Sequence, residues 1–92
     1  GSMNAANLEQ PQRRVDLLVT DTGNELMLYD SAAGVVHVLN ETSKLIWRLC
    51  DGNHTVAAIA DEVEIHFAVA PGVDVKADVR RVLQTLSDKG II

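Results

Sequence analysis

The stretch "HVLNETSKLIWRLCDGNHTV", residues 37–56, decides the fold of this chain. It holds His37, Cys50, Asp51 and His54 within eighteen positions, so it reads either as a catalytic or metal-binding cluster or as a junction between a strand and two helices. The period of the apolar residues separates the two readings. Up to Leu39 the run "VVHVL" (35–39) is β-branched and aliphatic, as a strand requires. Asn40 is then a good N-cap, and Leu45, Ile46, Leu49 and Cys50 follow over one helical arc. Asp51-Gly52 ends that helix, because glycine tolerates the left-handed conformation there. Thr55 opens the next helix.

The chemistry of the cluster is weak by comparison. A nucleophilic cysteine needs a base within hydrogen-bond reach and a third group to orient it. Cys50 instead falls on the apolar side of its helix, where a small buried thiol is the common outcome. Cys50 and His54 offer two metal ligands, and zinc takes three or four. The stretch is therefore read as a structural junction, with no catalytic residue, no metal site and no cofactor.

Working outward, "VDLLVT" (15–20) and "ELMLYD" (25–30) are strand-like runs joined by "DTGN", a hairpin signal. "SAAG" makes the turn into 35–39. Connections this short favour an antiparallel meander. After Thr55, apolar residues Val56, Ile59, Ala60, Val63 and Phe67 predict a second helix, which "APG" (70–72) breaks. Asp74 caps a third, with Val75, Val79, Val82, Leu83 and Leu86 at helical spacing, closed by Gly90. The expected fold is α+β: a small winged-helix-like domain with an N-terminal three-stranded antiparallel β-meander followed by three α-helices.

Gly1-Ser2 ahead of Met3 read as a scar of tag removal, and residues 1–14 as a flexible N-terminal arm containing Pro11; residues 15–92 are expected to form one domain. With 92 residues and 47% hydrophobic content there is room for one modest core and little for a deep substrate cavity. A single cysteine excludes an internal disulfide, and no apolar run reaches the roughly 20 residues of a membrane span. The expectation is a cytoplasmic protein without a membrane partner, monomeric or a weak homodimer.

Net charge is −5, which argues against general affinity for nucleic-acid phosphates. Residues 15–72 carry nine acids against Lys44 and Arg48, whereas residues 73–92 carry Lys76, Arg80, Arg81 and Lys89. The last helix is thus the one cationic region. A winged-helix DNA-binding or transcription-regulator domain is the alternative of the same shape. Its recognition helix would need a basic surface, and residues 56–66 carry Asp61, Glu62 and Glu64 with no Lys or Arg.

The stretch "GVVHVLNETSKLIWRLCDGNHTVAAIADEV" resembles the PqqD-like family of peptide chaperones, also called RiPP recognition elements. The resemblance rests on Leu39-Asn40 ending a strand, Ile46-Trp47 in the next helix, Asp51-Gly52 followed by Thr55-Val56 and Ile59-Ala60, and a final "DVRRVLQTLSDKGII". It covers about residues 15–92. It implies a non-catalytic domain that binds the leader part of a ribosomally made precursor peptide and hands it to a modifying enzyme, often a radical S-adenosylmethionine enzyme. It further implies that the peptide adds as a strand beside 35–39, in a groove against the third helix. Strand 35–39 has no proline and no charge beyond a possible His37 cation, so it lacks the usual protection of a sheet edge. Candidate peptide-binding residues are Val35, Val36, His37, Val38 and Leu39 on the strand. Lys76, Val79, Arg80, Arg81 and Leu83 are the candidates on the helix. Periodicity does not choose between Arg80 and Arg81, so both are named.

Overall fold

The computed structural model describes residues 9–92. Gly1-Ser2 and most of the expected arm lie outside the described residues. Strands β1 (Leu18–Asp21), β2 (Leu26–Asp30) and β3 (Val35–Leu39) form one antiparallel sheet in the order β1-β2-β3, followed by helices α1 (Glu41–Leu49), α2 (Val56–His66) and α3 (Val75–Asp88). The α+β architecture expected from the pattern is the one observed. β1 starts three residues later than its apolar run, because Leu18 already pairs with Tyr29 and β2 ends one residue further on.

Each helix begins where a short polar side chain can take an orphan amide. Asn40 accepts from the backbone of Ser43 at 2.9 Å, Thr55 from Ala58 at 3.1 Å and Asp74 from Ala77 at 3.1 Å. Gly52, just beyond α1, sits at φ +80, so a larger residue would strain the turn, and its Cβ would also displace the end of the Gln12 side chain.

The register sorts the sheet's two faces, since residues directly opposite share a face. Leu26 pairs with Leu39 and Leu28 with His37 on the inner face, against the helices. There Leu26, Leu28 and Leu39 meet Ile46, Ile59 and Leu83 in the core. Leu18, Met27, Tyr29, Val36 and Val38 lie on the outer face and remain exposed.

Residues 11–14 depart from a free arm. Pro11 is buried, its carbonyl accepts from Gly52 N–H at 2.9 Å, and Arg13 N–H donates to the Cys50 carbonyl. The Arg13 guanidinium also lies 5.4 Å above the Trp47 ring and donates to the Arg48 carbonyl at 2.7 Å. Arg14 bridges Asp16 and Asp30 and reaches the C-terminal tail through Gly90 and Ile91. Guanidinium forks suit this task because they can satisfy several carbonyls at once.

The β1–β2 turn is tied to α1 through Asp21. Its carboxylate takes the Gly23 N–H at 2.8 Å, Lys44 Nζ at 3.1 Å and an Arg48 nitrogen at 2.9 Å. The Gly23 amide, then Lys44, then Arg48 hold its pKa down at about 2, from 3.8. A depressed folded-state pKa contributes stability that is complete above the unfolded value and disappears as pH falls through the folded one. Tm should therefore fall between about pH 4 and pH 2. Asp21→Asn should lower Tm at neutral pH and shrink that acid limb, as thermal scans by circular dichroism would read. An unchanged acid limb would mean that the turn is not held by this carboxylate.

Candidate functional site

The opening cluster resolves into three unrelated environments. Cys50 is fully buried, donates its thiol to the Ile46 carbonyl, and is pushed up to about 12 by burial, which removes its nucleophilic form at neutral pH. Asp51 is a turn acid. It accepts the backbone amides of Asn53 and His54 and the His54 ring nitrogen at 2.9 Å, and the ring contact, first among these, holds its pKa down. His37 lies on β3, opposite Leu28. Among the described residues no group of three or more His, Cys, Asp or Glu side chains comes together as a metal site.

The concave feature of interest is elsewhere. Among the described residues β3 pairs only with β2, so its other edge carries backbone N–H and C=O groups that no described strand takes up. Beyond that edge lies an open cleft of about 300 Å³ between the end of β3, the start of α1 and one side of α3. Val38, Leu39 and Asn40 form the strand side, and Asp78, Arg81, Val82, Thr85 and Lys89 the helix side. Those α3 positions recur at three- and four-residue steps, so they occupy one stripe of the helix. Arg81 is ion-paired to Asp78 at 2.7 Å and, with Lys89, leaves the cleft wall net positive in a chain of net charge −5.

The candidate residues divide accordingly. Val38, Leu39 and Arg81 meet at the cleft. Val35, Val36 and His37 continue the same free edge, with Val35 and Val36 exposed and His37 half-buried. Val79 and Leu83 are core residues, 1% and 0% exposed, and neither lines this cleft. Lys76 and Arg80 are exposed and stand away from the cleft lining. Asn40, Ser43, Asp78, Val82, Thr85, Leu86 and Lys89 also line the cleft and are not among the candidates. Of these, Val82 and Thr85 were legible in principle, lying on the same flank of the α3 stripe as Arg81.

Helix α2, where a nucleic-acid reader would need cations, carries Asp61, Glu62 and Glu64, with His66 in its last turn. No described helix is long and apolar enough to cross a membrane.

In this small α+β domain an open strand edge faces an amphipathic helix across a cleft, the kind of surface on which strand addition operates. Over residues 25–92 the sequence matches the family described as coenzyme PQQ synthesis protein D (PqqD), and the chain belongs to that family. The fold is also that of a solved structure, TbiB1 in complex with the TbiA(beta) leader peptide, with a TM-score of 0.71 and 20% identity over 87% of this chain and 92% of that one. No curated protein matches the chain.

Proposed function

We propose that residues 15–92 form a non-catalytic domain that binds the leader region of a ribosomally synthesised precursor peptide and presents it to a modifying enzyme, such as a radical S-adenosylmethionine maturase. The peptide adds as a fourth strand along β3 and lies in the cleft against α3. The observation that carries this is the juxtaposition of an uncharged strand edge, unpaired among the described residues, with a cleft large enough for side chains. PqqD-family membership, and a fold shared with a protein solved with a leader peptide bound, support the same reading. Strand addition satisfies the free backbone groups of β3, and the cleft selects alternate side chains of the ligand. A short strand interface is small, so micromolar or somewhat tighter affinity is expected, roughly −8 kcal/mol.

The test is amide chemical-shift mapping with leader peptides from precursor genes adjoining this one. Shifts should centre on residues 35–39 and on the Asp78–Lys89 side of α3. Shifts centred on α2 with duplex DNA, and none with leader peptides, would overturn the proposal.

The arginines should differ. Arg81 lines the cleft and Arg80 does not. An exposed ion pair is worth about 0.2–1 kcal/mol, so Arg81→Ala should weaken binding of an acidic leader only several-fold. The effect should fade as salt shortens the Debye length below about 8 Å. Arg80→Ala should match the parent in titration calorimetry at low and high salt. Equal losses from both substitutions would point to long-range charge rather than contact.

A further inference from the structure

A second concavity adjoins the cleft. It is a recess of about 190 Å³ between α1, the end of α2, the loop after it and the first half of α3. It shares Asp78 and Val82 with the cleft, so the two are neighbours along α3 with those side chains common to both linings. Its character is different. Of its ten lining residues only Thr42 and Asp78 are polar, whereas six of the ten that line the cleft are polar or charged. Its floor is core: Ile46, Val63, Val75 and Val79 are all nearly inaccessible. Its walls are incompletely covered, since Phe67, Val69 and Val82 are only partly buried and Val73 is 45% exposed. A chain with a modest core thus leaves several apolar side chains around one hole short of burial.

We propose that this recess is a second subsite of the peptide groove and takes one apolar side chain of the ligand, aliphatic or phenyl. This rests on the peptide reading above, and it adds a substrate class: leaders carrying an apolar anchor just outside the segment that pairs with β3. Size supports that occupant. An apolar cavity of about 150 Å³ accommodates a benzene ring, so about 190 Å³ with an open mouth accepts a leucine, isoleucine, methionine or phenylalanine side chain. Asp78, common to both concavities, is ion-paired to Arg81 at 2.7 Å, so the recess presents no uncompensated charge and suits an apolar side chain. A second copy of this chain is a poorer occupant, because two molecules of net charge −5 repel and the recess admits a side chain rather than an element.

The experiment uses a displayed library of random dodecapeptides panned on the full chain, then titration of the selected peptides. Selected sequences should share one position rich in Leu, Ile, Met or Phe and shift the amides of β3. Replacing that anchor by alanine should weaken binding by roughly ten- to a hundredfold, the effect of removing one buried apolar side chain. Val73→Asp, at an exposed position on the rim, places a carboxylate in the mouth, and Thr42→Trp fills the mouth from the other side. On either variant the anchored peptide should bind no better than its alanine version. Peptides that shift β3 yet keep full anchor dependence on both variants would overturn the subsite and leave the strand-addition reading standing. Failure to select any peptide that shifts β3 would overturn that reading, and the subsite with it.

Discussion

Leu83→Ala should cost about 2–5 kcal/mol of stability, the range for truncating a leucine in a packed core. A small domain has only about 5–15 kcal/mol in total, so this variant should lose roughly 10–30 °C in Tm. Leu83 is fully buried and packs with Leu26, Leu28, Ile46 and Ile59 between sheet and helices. Val82, its neighbour in the chain, is half-buried and lines both the cleft and the recess. Val82→Ala removes two methyl groups from a site that is already partly wet, so it should cost about 1 kcal/mol or less in stability. Its effect should fall on binding instead. Thermal scans and peptide titrations of the pair separate the roles: Leu83→Ala unfolds, Val82→Ala binds weakly. A Leu83→Ala protein with parental Tm and poor binding would put Leu83 in the groove after all.

That contrast marks where the sequence was readable. The α3 stripe was plain from spacing, and the caps at Asn40, Thr55 and Asp74 were plain because a cap depends on its own next few residues. Which flank of the stripe leans toward β3 depends on how α3 crosses the sheet, and nothing local encodes that. Val79 and Leu83 sit at the centre of the stripe, so they go to the core, and the flank holding Arg81, Val82 and Thr85 is left for the cleft. Arg80 and Arg81 are about 100° apart on the helix, enough to put one at the cleft and the other away from it.

Residues 11–14 are anchored in a way that leaves no sequence pattern. Their anchoring runs through backbone carbonyls of Arg48, Cys50 and Gly90 and through one buried proline. Such partners have no periodicity to find. The recess was equally invisible, because it is assembled from three helices and a loop that share no sequence neighbourhood. β3 was the easy case. An uncharged five-residue run after a tight turn is a strand, and as the last strand of a meander it lies either at an edge or under a helix, which the sequence leaves open.

N-methylation of the ligand backbone should discriminate by phase. In an added strand every second N–H points at β3, and the others point away from the sheet partner. Methylating the first set removes a donor at each site and puts a methyl group where the β3 backbone must lie. β3 spans Val35–Leu39, so at least two ligand donors face it. Each hydrogen bond contributes about 0.5–1.5 kcal/mol net, so losing two should weaken binding roughly five- to a hundredfold before any clash is counted. Methylating the alternate set should change affinity only a few-fold, because those amides meet the cleft or solvent. The two peptides have the same composition and the same side chains, so helix contacts cannot produce the difference. Titration calorimetry of both against the unaltered chain gives the answer. Equal affinities would show that the ligand does not pair with β3, whatever else holds it in the cleft.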